Sequence, residues 1–236
     1  MKLDNIATSK LSAKLKLNKV RHSSYFHTAA LYALKQLYDE NNLTFPADVL
    51  LEIAASLRVR YKPMLEFSHC GFHTAIVIFP VDKQRFGKFV DFWRDVKYVH
   101  ELIVENTSVE TGSLFSTTHS SQLENTNKIY SQTDSLDEMY RRLNQEIQCD
   151  LVVSNLSRFV NDHVKVFSES PLNIKEMYCT DPLNSNPSIS PGVILHIVYW
   201  RGEIFIQIGA NKSVIGSAHV NRFKDLYIDF ISSTLD

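Results

Sequence analysis

The sequence predicts an α/β fold: a mixed sheet packed by helices, in an α+β two-layer sandwich. Three observations predict it. The front half carries apolar residues at three-four spacing, most clearly over residues 23–39 and 86–104. The back half carries short strand-like runs, chief among them residues 151–154 and Val193–Trp200. A further helical period over residues 219–232 closes the chain. With 236 residues, 44% of them hydrophobic, the chain has enough apolar material for one core. The expectation is a single unit over residues 1–236, with a polar flap or crossover at about residues 105–135.

In chain order, residues 8–17 form a short amphipathic helix, with Leu11 and Leu15 on one face and Lys10, Lys14 and Lys16 around the rest. The lysines can attract a phosphate or simply form a solvated face. Residues 23–39 are a stronger helix: Leu31, Leu34 and Tyr38 make its stripe, Ser23 or Ser24 caps its start, and Asn41 and Asn42 end it. His27 lies in line with Leu31, as a core histidine bonded to backbone would. Residues 53–61 alternate: Ile53, Ala55, Leu57, Val59 and Tyr61 face one way, Ser56, Arg58 and Arg60 the other. Pro63 stops that strand. Arg58 and Arg60 are candidates to hold an anionic group, or are solvent-facing side chains.

His69 and His73 flank Cys70, Gly71 and Phe72, a spacing that invites a metal reading. Gly71 and the strand-like run after it argue against the helix that two ligands four apart require, and no complete ligand set accompanies them, so no metal site is assigned. A strand over residues 75–79 follows. Then comes an amphipathic helix over residues 86–104, its buried stripe marked by Phe89, Phe92, Trp93, Val96, Val99 and Ile103. After the polar stretch, residues 136–147 return to helix. Strand candidates follow at residues 151–154, 164–167 and, more weakly, 174–178, and residues 181–191 are a Pro/Asn/Ser loop. Val193–Trp200 is nearly all apolar, as a strand covered on both faces should be. Arg201 and Gly202 make a tight turn into residues 203–208, where Ile204, Ile206 and Ile208 share a face.

Composition excludes several classes. A formal net charge of −1 does not describe an electrostatic binder of nucleic acid or of an anionic membrane. Cys70, Cys149 and Cys179 are scattered and odd in number, which suggests free thiols in a reducing compartment. Residues 1–20 carry lysines and no apolar core of a signal peptide, and no apolar run is long enough to span a bilayer. The expected location is cytoplasmic.

The order of these segments resembles a family. LKLNKVRHSSYFHTAALYALKQLY, SLRVRYKP, GFHTAIVIFPVD, FVDFWRDVKYVHELI, LVVSNLSRF and GVILHIVYWRGEIFIQI are similar, in that order, to the C-terminal lobe of chloramphenicol-acetyltransferase-like acyltransferases. LVVSNLSRF is similar to the Ser-Asn-Leu strand end of the alcohol acetyltransferase and condensation-domain branches. The resemblance covers nearly the whole chain and implies one lobe of a two-lobed fold whose halves enclose a tunnel. It implies acyl transfer from coenzyme A or a carrier-bound thioester to an alcohol or amine, with no tightly bound cofactor. The family's base is the histidine of a His-x-x-x-Asp motif on the other lobe, and a neutral nucleophile needs such an acceptor for its proton.

None of the nine histidines here has aspartate four residues on; His22, His69, His163 and His219 are followed there by Phe26, His73, Phe167 and Phe223. No catalytic residue is therefore assigned to this chain, and an active enzyme would need an N-terminal lobe, either missing from a truncated sequence or supplied by a separate polypeptide. Ser157 stands where the family has a glycine. By the resemblance, Ser154 and Asn155 sit near the tunnel and bond the substrate or the oxyanion; alternatively, Asn155 only ties a strand end to a turn. A second reading is a non-catalytic module that self-associates and binds a thioester, lipid or protein. A bare apolar flank would favour a partner in either case. A cysteine hydrolase built on Cys179 or Cys149 lacks the elbow or helix start that would activate a thiol.

Overall fold

The computed structural model describes residues 1–46, 48–56, 74–82, 91–108, 150–156, 175–176, 178, 192–211 and 215–235. They contain six strands: β1 (Lys2–Leu3), β2 (Asp48–Ser56), β3 (Thr74–Asp82), β4 (Leu151–Asn155), β5 (Val193–Trp200) and β6 (Glu203–Ala210). They also contain four helices: α1 (Asn5–Asn18), α2 (His22–Glu40), α3 (Phe92–Thr107) and α4 (Ser217–Leu235). The strands form one sheet in the order β1-β6-β5-β4-β2-β3. β4 runs parallel to both β2 and β5, and every other pairing is antiparallel. The sheet is therefore mixed, as expected.

Register assigns each strand residue to a face. One face collects Leu3, Ile206, Leu195, Ile197, Leu151, Val153, Leu51, Ile53, Val77 and Phe79, all in one core with Leu11 and Leu15 of α1, Phe26 and Leu31 of α2, Val96 and Val99 of α3 and Phe223 and Ile231 of α4. This is the helix face. On the opposite face Val152, Ile194, Val198, Trp200 and Phe205 are also buried, and the Tyr178 ring meets Phe205 edge-on at 5.3 Å. Burial on both sides explains why β5 reads as one apolar run.

Several boundaries differ from expectation. α2 begins at His22, so Ser23 and Ser24 lie inside its first turn. Its N-cap is Arg21, which makes no side-chain capping bond, and Ser24 Oγ donates to the Arg21 carbonyl at 3.0 Å. β2 starts at Asp48, five residues before the alternation shows, because its first half pairs with β3 through Val49 and Leu51, which are buried, and Leu50, which is half-buried. α3 starts at Phe92 because Asp91 Oδ1 accepts from the Arg94 N–H at 3.1 Å and holds Asp91 in extended geometry. Lys175, Glu176 and Tyr178 are in no strand. β1 was not anticipated: two residues against Phe205 and Ile204 carry no periodicity. Residues 57–61, the His69–His73 motif, the three cysteines, Phe89 and the expected elements over 136–147, 164–167 and 181–191 lie outside the described residues.

The Arg201-Gly202 turn forms as expected. Both residues have positive φ, 53° and 85°, as a two-residue type I′ hairpin requires. A Cβ at Gly202 would lie 2.1 Å from Asn5 Oδ1. With its carboxamide turned so that nitrogen faces the turn, Asn5 donates to the carbonyls of Arg201 (3.2 Å) and Gly202 (3.0 Å), so the first residue of α1 fastens the hairpin. Gly202→Ala is expected to destabilise by about 1–3 kcal/mol. Arg201→Gly, which relieves a side chain at positive φ, should be neutral or stabilising. Urea titrations of the two variants check this, and equal midpoints would contradict it.

Candidate functional site at the carboxyl end of β4

β4 ends on Ser154 and Asn155, flanked by parallel neighbours on both sides. The carboxyl ends of adjacent parallel strands are where α/β sheets meet ligands. The strand period of two sends the two side chains to opposite faces. Asn155 is on the helix face, where its Nδ2 donates to Ser23 Oγ of α2 at 3.3 Å. It lies in the strand, paired with Ile197, and not in a turn; Leu156 N–H continues the ladder to the Ile197 carbonyl at 2.9 Å. The Asn155 carboxamide thus fastens the head of α2 to the end of β4.

His27 is part of the same junction and is fully buried. Its Nδ1 lies 2.7 Å from the Ser23 carbonyl and its Nε2 3.4 Å from the Glu52 carbonyl of β2. The shorter distance places the proton on Nδ1, since a neutral imidazole donates once. Burial lowers its pKa, and the two carbonyls oppose that without prevailing. Nearby, His100 of α3 bonds Ser24 Oγ through Nδ1 at 3.2 Å. The Ser24 hydroxyl already donates to Arg21, so His100 must be the donor, and Ser24 is not activated as a nucleophile. Burial also lowers the His22 and His100 pKa values, with the Arg21 charge adding to the effect on His100.

Ser154 is on the other face. There β4 and β5 pair Ser154 with His196, and β5 and β6 pair His196 with Gln207. Hydroxyl, imidazole and carboxamide form one row across three strands. The flanking rows are Val152, Ile194 and Gly209 on one side and Val198 and Phe205 on the other. His196 is 3% exposed, while Ser154 and Gln207 are half-buried. The half-buried Ser154 and Gln207 can donate to and accept from a carbonyl, hydroxyl or amide, while His196 is buried between them. The sequence reading passed over His196 and Gln207. The signal was present: one histidine inside an otherwise apolar strand. Arg58 and Arg60 lie outside the described residues. The structure brings Ser154 together with His196 and Gln207, and Asn155 with Ser23 and His27.

Among protein-family models and curated proteins, none matches the chain. Solved structures do. The condensation domain from the monacolin K polyketide synthase MokA superposes with a TM-score of 0.61 at 12% identity, over 100% of this chain and 46% of that one. The epimerization domain from the third module of tyrocidine synthetase B gives 0.60 at 13%, over 100% and 46%. The PapA2 acyl transferase gives 0.54 at 11%, over 98% and 44%. The chain spans less than half the length of these matched structures. The chain therefore has the fold of rather less than half of these condensation, epimerization and acyltransferase domains.

Proposed function

We propose that this chain is the C-terminal lobe of an acyl-CoA-dependent O- or N-acyltransferase of the alcohol acetyltransferase or condensation type, and that it does not turn over substrate by itself. One observation carries the reading: 98–100% of the chain superposes on less than half of each of the three domains named above. The co-substrate is acyl-CoA or a carrier-bound thioester, the acceptor is an alcohol or amine, and the setting is cytoplasmic. Among the described residues, no helix is long and apolar enough to cross a membrane.

The chemistry follows from the two faces of β4. An acceptor hydroxyl or amine attacking a thioester must lose a proton while the carbonyl oxygen gains charge. Ser154 and Gln207, both half-buried, offer hydrogen bonds to such groups. His27 cannot serve as the base, because it is fully buried and its unprotonated Nε2 faces the Glu52 carbonyl inside the core. The proton acceptor comes instead from the His-x-x-x-Asp motif of the other lobe. Arg58 and Arg60 would hold an anionic part of the co-substrate.

The test is thiol release from acyl-CoA in the presence of an alcohol or amine, with this chain alone and with a separately produced lobe carrying His-x-x-x-Asp. The chain alone should match the buffer rate, and the mixture should exceed it, with the excess lost when that histidine is replaced. Turnover by the chain alone, removed by His196→Gln, would sink the reading.

A further inference from the structure

α1 has two apolar stripes. Leu11 and Leu15 face the core at 0% and 3% exposure. On the opposite side Ile6 and Leu17 stand out at 71% and 81% exposure, with exposed Ala13 between them. Eleven residues apart on a helix, Ile6 and Leu17 share one line, about 16 Å long at ~1.5 Å per residue. Lys10 is beside that line, and Lys14 and Lys16 flank it on either side. Asn5–Asn18 contains no carboxylate. Asp4, just before it, is engaged in capping Ala7 N–H at 2.8 Å. Lys14 Nζ donates to the Thr234 carbonyl at 2.7 Å, which fixes its ammonium on one flank. Among the described residues Lys10, Lys16 and Lys19 make no ion pair.

We propose that the outward face of α1 docks peripherally on an anionic lipid bilayer, with Ile6 and Leu17 entering the headgroup boundary and the lysines on its charged surface. The outward half of α1 alone carries an apolar line bordered by lysines, an arrangement that suits a helix lying in the plane of a charged surface. A bilayer fits better than an acidic protein because the face is one convex helix with two isolated protruding side chains. It presents no groove for a specific partner, and a laterally uniform surface needs none. The whole-chain charge of −1 conceals this local excess, since the balancing carboxylates are on other elements. Each lysine near an anionic surface contributes roughly fivefold in binding, and salt screens the effect.

Co-sedimentation of the full chain with phosphatidylcholine vesicles, with and without phosphatidylserine, tests this. Binding is expected only with phosphatidylserine and should weaken as sodium chloride is raised. Lys10→Gln with Lys16→Gln should reduce it roughly thirtyfold, and Ile6→Ser with Leu17→Ser should reduce it about tenfold or more. Both double variants leave Leu11 and Leu15 in place and should melt as the wild type does. Lys97→Gln, on α3 over the β3 edge of the sheet and away from α1, should bind as the wild type does. Equal binding to both vesicle types would overturn the proposal. So would unchanged binding in both double variants, loss in Lys97→Gln equal to that in the lysine pair, or a vesicle-free dimer that Ile6→Ser/Leu17→Ser dissolves.

Discussion

Replacing Leu151 by alanine is expected to lower stability by about 2–5 kcal/mol, with a melting temperature lower by on the order of 10 °C. Leu151 is fully buried and begins the only described strand with parallel partners on both sides. It sits opposite Leu51 of β2 and Val193 of β5 in one row of the helix face, beneath the core built by α2. Truncation removes apolar contact from both neighbouring strands at once. The sheet cannot collapse to fill the space without shifting two ladders. Urea denaturation measures the loss, read as a midpoint shift at unchanged slope. A loss under about 1 kcal/mol would mean that the centre of the sheet is less tightly packed than its burial implies.

Acidification is the second large effect. His27, His22 and His100 have folded-state pKa values lowered chiefly by burial. In the unfolded chain they titrate near the ordinary histidine value of about 6.5. Above that pH both states are neutral and stability is complete. As pH falls, the unfolded chain takes up protons that the folded chain refuses, so stability declines until the folded pKa values are reached. The fully buried His27 alone permits a slope of up to about 1.4 kcal/mol per pH unit. Asp95 acts in the opposite sense. It is 1% exposed and accepts from Tyr32 OH at 2.8 Å, and desolvation raises its pKa, so its cost of burial is relieved at low pH. Its window opens upward from the carboxylate range, below the histidine onset, and Asp95→Asn removes it. Melting temperatures from pH 7.5 to 5 should fall in the wild type and fall less in His27→Gln. Parallel profiles would show that His27 does not supply the linkage.

Much of the architecture was legible because burial on two faces writes a distinctive sequence. Val193–Trp200 and the Arg201-Gly202 turn could be read to the residue, since an apolar run followed by two turn residues has few alternatives. The core faces of α1 and α2 were legible from Leu11, Leu15 and Leu31. Element starts were less so. A capping aspartate at position 91 outweighs an apolar stripe that the sequence continues back to Phe89, and the opening half of β2 hides behind Asp48 and Glu52. At the site, Ser154 and Asn155 were singled out as a pair, although a strand must send neighbours to opposite faces. The partners that give each its role, Ser23 and His27 for one and His196 and Gln207 for the other, come from distant segments that no local pattern connects.

The strand order has a consequence for how the chain reaches its native state. Leu51 meets Leu151, and Lys2 meets Phe205. The β2–β3 and β5–β6 strand pairs can each close on their own, but within the described sheet they meet through β4, whose two parallel ladders close long stretches of chain. Such topology favours slow assembly, because loop-closure entropy is spent before distant contacts repay it. During synthesis, residues 2 and 3 wait until the last hairpin has left the ribosome, and until residues 151–155 emerge the β2 ladder toward β4 is an open template for whatever extended segment arrives first.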